Sequence, residues 1–65
     1  MILKLKKEIY TFFNLEKAID AFSSYSLITV TEDSLEWTVV FSDCKYDPKL
    51  TLCEFENYLI DLENT

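Results

Sequence analysis

Cys44 and Cys53 are the strongest nucleophiles and softest ligands the chain offers, and nine positions separate them. That spacing is neither the CxxC of a redox motif nor part of the four-ligand set a structural zinc requires. A catalytic thiolate also needs a base beside it, and the chain has no histidine. Twelve carboxylates are present. A helical pair such as Glu54 and Glu56 is only two positions apart, so the two groups point to different sides of the helix. The chain also has no glycine, so neither a phosphate-cradling P-loop nor a dinucleotide-binding turn can be written. These residues imply no cofactor and no metal, and they point away from an enzyme.

The charge balance narrows the partners. Six lysines against twelve acids leave a net charge of -6, which argues against nucleic acid, because phosphate binding needs basic surface. From Glu32 onward nine carboxylates face only Lys45 and Lys49. Most such charge is ordinary solvated surface, and a basic partner is the alternative. Lys4, Lys6 and Lys7 interrupt the apolar residues of "MILKLKKEIY", so this stretch reads as neither a signal peptide nor a membrane span. Two cysteines make no disulfide framework, and reduced thiols imply a cytoplasmic protein.

With 65 residues the chain is expected to form one domain, of marginal stability unless a partner or a second copy adds to it. The elements follow from periodicity. In "ILKLKKEIY", Leu3, Leu5 and Ile9 share one parity while Lys4 and Lys6 take the other, which predicts a strand with one wet face. In "NLEKAIDAF", Asn14 offers an N-cap, and Leu15, Ala18, Ile19 and Phe22 form a helical stripe that Ser23 and Ser24 end.

"LITVTEDSLEWTVVF" reads as a hairpin turning at Glu32 to Leu35, with Thr31 opposite Glu36, Val30 opposite Trp37 and Ile28 opposite Val39. Ile28, Val30, Trp37, Val39 and Phe41 then share the buried face, while Leu27 and Val40 lie together outside. Asp47 and Pro48 supply the cap and first position of a second helix, with Leu52, Phe55, Leu59 and Leu62 as its buried stripe. Trp37, Phe22, Phe55 and Leu59 are expected to pack on one another. Turns must be made by Asp, Asn, Ser and Pro.

The predicted order is β-α-β-β-α. A right-handed crossover leaves room for the hairpin strand in the middle. The fold class is therefore α+β: a mostly antiparallel three-stranded sheet in the order first, third, second, with both helices on one face. This is a ferredoxin-like plait lacking its last strand. The first strand then lies at an edge, where Lys4 and Lys6 guard against aggregation or flank an added strand. Tyr58 and Ile60 fall beside the stripe of the last helix. Together with the Leu27–Val40 pair, they are surplus apolar surface of the kind that meets a protein or peptide partner, or a second copy.

Two stretches, "IYTFFNLEKAIDAF" (Tyr10, Leu15, Lys17, Ala18, Phe22) and "EFENYLID" (Glu54, Phe55, Asn57, Leu59, Ile60, Asp61), resemble the His-Xaa-Ser system protein D family, HxsD. The likeness runs over nearly the whole chain, and "LENT" departs from it where a basic residue is expected. That family's members are encoded beside radical SAM enzymes that modify ribosomally made peptides. The resemblance implies an accessory, peptide-handling role without catalysis. Two other readings fit the same residues: a small dimerising subunit of a tRNA-modification complex, which the element order resembles, and a phage-type acidic inhibitor.

Overall fold

The computed structural model describes residues Met1–Thr65. Its elements run β1 (Ile2–Lys6), α1 (Phe12–Phe22), β2 (Leu27–Glu32), β3 (Glu36–Ser42) and α2 (Pro48–Glu63). The sheet order is β1-β3-β2, and both outer strands run antiparallel to β3. This is the expected three-stranded α+β arrangement. Leu3 and Leu5 of β1, Trp37, Val39 and Phe41 of β3, Leu15 and Ala18 of α1, and Phe55 and Leu59 of α2 form one buried cluster. The shortest dimension is 17 Å, room for one sheet and one helix layer. The other sheet face therefore stays uncovered.

Only 11 of 65 residues are buried, so each core side chain carries a large share of the stability. Burying a residue such as Phe55, which has no exposed surface, stabilises the fold by roughly 1.5–3 kcal/mol. No buried side-chain nitrogen or oxygen lacks a hydrogen-bond partner. The two buried polar side chains explain why. Thr51 donates its hydroxyl to the Asp47 carbonyl at 3.0 Å, and Ser26 donates to the Ser42 carbonyl at 2.9 Å.

The hairpin pairs differently from the expectation. Val30 faces Val39, Ile28 faces Phe41 and Thr31 faces Thr38, so every partner moves by two. The cause is Asp33, whose Oδ1 accepts the amides of Leu35 and Glu36, each at 2.8 Å. Its own amide donates to the Glu36 carbonyl at 3.0 Å, which sets the turn one residue further along. A shift of two preserves side-chain parity, so the inward set survives. The outward pair does not: Leu27 faces Ser42, and Val40 lies between Thr29 and Ile2.

Helix α1 begins before Asn14. Thr11 is its N-cap, with extended backbone and a hydroxyl that accepts the Asn14 amide at 3.4 Å. The Asn14 side-chain amide reaches across to the Leu62 carbonyl, also at 3.4 Å. Ile9 is exposed and outside β1, because the amides of Ile9 and Tyr10 both turn back onto the Lys6 carbonyl. Helix α2 starts at Pro48 after Asp47, whose side chain accepts the Lys49 amide at 3.1 Å. Its buried positions are Thr51, Phe55 and Leu59, with Leu52 and Leu62 half-buried beside them.

Phe22 packs edge-on to Phe55, with ring centroids 5.4 Å apart, whereas the ring beside Trp37 is Phe12, at 6.0 Å. The expected four-residue cluster is therefore spread along the core. With the two helices antiparallel, Trp37 lies near the start of α1 and Phe22 at its end. In a chain without glycine, the left-handed backbone position is taken by Asp43, with φ of 52°. Aspartate tolerates that region better than most residues.

Candidate interaction surfaces

The six surface residues singled out from the sequence fall on separate parts of the molecule. Lys4, Lys6, Val40 and Leu27 all project from the uncovered sheet face, since their strand neighbours Leu3, Leu5, Val39, Phe41 and Ile28 pack inward. Ile2, 61% exposed, sits directly across from Val40, and Leu27, 57% exposed, is diagonal to it. These three form an apolar end to the face, and the other end is charged, with Lys6 directly across from Glu36 and Lys4 across from Thr38. Tyr58 and Ile60 belong to the helix layer. Two positions apart on α2, they are separated by roughly 200° around its axis and do not form one patch.

β1 has a free edge, and its ladder tells which groups are free. Met1 exchanges two hydrogen bonds with Phe41, and the Lys7 amide donates to the Leu35 carbonyl. In an antiparallel pair such bonded positions alternate, so Leu3 and Leu5 also turn their backbone groups toward β3. The amides of Ile2, Lys4 and Lys6 therefore point away from the sheet. The carbonyls of Ile2 and Lys4 do the same.

The charged end of the sheet is tied to the hairpin. Lys7 Nζ lies 2.7 Å from Glu32 Oε2, and the same oxygen accepts the Trp37 indole N–H at 3.2 Å. The hydrogen bond from Lys7 and its charge hold the Glu32 carboxyl below its usual range. Asp33 is likewise held low by the amides of Leu35 and Glu36. An opening of about 700 Å³ beside them is lined by Lys6, Lys7, Asp33 and Glu36, with Leu35 as its one apolar residue. Charges of both signs and a single apolar side chain give it little to hold a ligand with.

A different groove, of about 400 Å³, opens where the end of α1 meets the start of α2. Phe22, Tyr25, Tyr46, Tyr58 and Leu50 line it, with Glu54 at its side. Of the residues predicted from the sequence, Tyr58 alone falls there. Tyr25 and Tyr46 lie in the loops before β2 and α2, where no periodicity marks them. The Lys45 amide donates to the Tyr25 carbonyl at 2.8 Å, and this bond brings the two loops together.

No three of the chain's Cys, Asp and Glu side chains meet in a way that could hold a metal ion. Cys44 is half-buried with Sγ 3.2 Å from Ser26 Oγ, and Cys53 is an exposed free thiol. No helix is long and apolar enough to cross a membrane. Compared with protein-family models, curated proteins and solved structures, the chain matches none of them.

Proposed function

We propose that the protein is a non-catalytic interaction domain that takes an extended partner segment along the free edge of β1. The observation that carries this reading is the row of outward backbone groups at Ile2, Lys4 and Lys6. A complete ferredoxin-like plait places its fourth strand at this edge, and strand addition is a common mode of peptide recognition. The apolar cluster of Ile2, Val40 and Leu27 on the adjoining face extends the contact. The resemblance to HxsD supplies the setting: an accessory, peptide-handling part in a cytoplasmic radical SAM maturation system.

Charge selects between a second copy and another chain. Two β1 strands paired with each other would bring the lysines of both copies onto one face, and like charges across a strand pair are destabilising. An acidic strand would instead set carboxylates beside Lys4 and Lys6. The partner is therefore a peptide with acidic residues, such as a precursor peptide encoded beside the gene.

Lys4→Pro tests this directly. Proline removes the outward N–H of Lys4 together with its charge and leaves the β1–β3 ladder intact, so Lys4→Ala, which keeps the N–H, is the control for the edge. Binding of the proteins encoded on either side of the gene, measured by calorimetry, should be lost in Lys4→Pro and weakened in Lys4→Glu. Unchanged binding by a folded Lys4→Pro protein rejects the edge. Light scattering that finds a stable dimer of the parent, dissolved by Lys4→Pro, would replace the peptide with a second copy.

A further inference from the structure

The groove between the end of α1 and the start of α2 has a built character that the edge strand does not share. Its rings stand at steep angles to one another. Phe22 and Tyr25 are 5.8 Å apart at 70°, Phe22 and Tyr58 are 5.8 Å apart at 65°, and Tyr25 and Tyr46 are 5.9 Å apart at 55°. Rings packed in this way wall a space from several sides, and their electron-rich faces attract a cation. Three of the four are exposed tyrosines: Tyr25 at 42%, Tyr46 at 63% and Tyr58 at 39%. The groove is thus open to solvent with its aromatic lining in place.

The electrostatics agree with the rings. Glu54 lines the groove and has no ion-pair partner, since the one salt bridge of the chain joins Lys7 to Glu32. On α2, Leu50, Glu54 and Tyr58 follow one another at steps of four, and Asp61 comes three later, so a second carboxylate continues the same flank. The two lysines nearest in sequence lie elsewhere. Lys45 lines a separate groove with Ile19 and Ile28, and Lys49 sits roughly 140° around the helix from Glu54.

We infer that this groove is a binding site for a cationic side chain of a partner protein, held between the tyrosine rings and paired with Glu54. An arginine fits best, because its planar guanidinium stacks on rings while its N–H groups reach a carboxylate. The volume, about 400 Å³, is at the lower end of small-ligand pockets and suits one long side chain. The site is separate from the edge of β1, so either can fail without the other.

The test uses N-acetyl-arginine amide as the probe and the neutral isostere N-acetyl-citrulline amide as its control, titrated at constant ionic strength. Ring resonances of Tyr25, Tyr46 and Tyr58 should shift with the arginine probe and stay still with citrulline. Tyr46→Ala and Glu54→Gln change exposed groups, so both should fold, and each should weaken the arginine probe about threefold. Equal shifts from the two probes overturn the cation assignment. Shifts spread over the surface carboxylates without the tyrosine rings overturn the site itself. Unchanged affinity in both variants does the same.

Discussion

Glu63 Oε2 accepts the backbone N–H of Thr11 at 2.7 Å and its hydroxyl at 3.1 Å. In a capping box the glutamate that takes the N-cap amide comes from the third residue of the same helix. Here that residue is Asn14, and the carboxylate arrives from the last residue of α2. The departure at "LENT" thus places an acid where the fold uses one. The start of α1 and the end of α2 are fastened to each other across the chain.

Removing this fastening should lower stability in a pH-dependent way. The Thr11 amide is the main reason that the Glu63 carboxyl titrates below its ordinary value. Glu32 and Asp33 shift the same way. For all three the folded state holds the charged form more strongly than the unfolded chain does. Their stabilisation is complete above the ordinary carboxylate range and disappears as pH falls through the depressed folded values. Melting temperature should therefore fall below about pH 4.5, and Glu63→Gln should flatten part of that fall. Thr11→Ala should cost about 1 kcal/mol at neutral pH, a drop of about 4–8 °C.

Phe55→Ala should be the most damaging single truncation. The ring is fully buried and packs edge-on against both Phe22 and Phe41, at 5.4 and 5.1 Å. A loss of about 3–5 kcal/mol is expected, enough to unfold so small a domain. Leu50→Ala on the same helix is the control. Its residue is 55% exposed, so the change should stay within about 0.5 kcal/mol. A cooperative melt of Phe55→Ala near the parent temperature would contradict this core.

Asp43 tests the left-handed turn. Asp43→Gly should be neutral or stabilising, because glycine occupies positive φ without a Cβ clash. Asp43→Ile should cost about 1–2 kcal/mol at the same position. Denaturant melts of the two variants should differ in midpoint and agree in slope. Equal midpoints would mean that the turn relaxes out of the left-handed region.

The thiols should separate by rate. In native protein Cys53 should react promptly with a thiol reagent and Cys44, half-buried beside Ser26, more slowly. Unfolded protein kept free of air should titrate two. Two equally fast thiols in the native state would mean that the loop before α2 opens readily.

What the sequence made legible was what depends on neighbours along the chain. Alternation in "ILKLK" and "EWTVVF" marks strands, and the inward parity of Val39 and Phe41 holds under any even shift of register. Asp47 and Pro48 announce α2. The errors came from contacts that residue type and periodicity do not encode, most of them between distant residues. Asn14 looked like a cap because nothing local shows that Thr11 has a carboxylate waiting on α2. Turn placement depended on Asp33 taking two amides at once, which composition does not specify. The aromatic groove was invisible because Tyr25 and Tyr46 stand 21 positions apart in unpatterned loops, and a backbone bond between those loops brings them together.

The strand order has a consequence for how the chain is made. β1 and β2 never touch, and each is paired only to β3. A ribosome that has released the first 35 residues has therefore made two strands and one helix with no sheet to join. Leu3, Leu5, Ile28 and Val30 have no common sheet to share until Glu36–Ser42 emerges. Even then the core stays open on the side of Phe55 until α2 follows. Folding must wait for the chain to leave the tunnel, and until then a chaperone or the eventual partner would meet both strands bare.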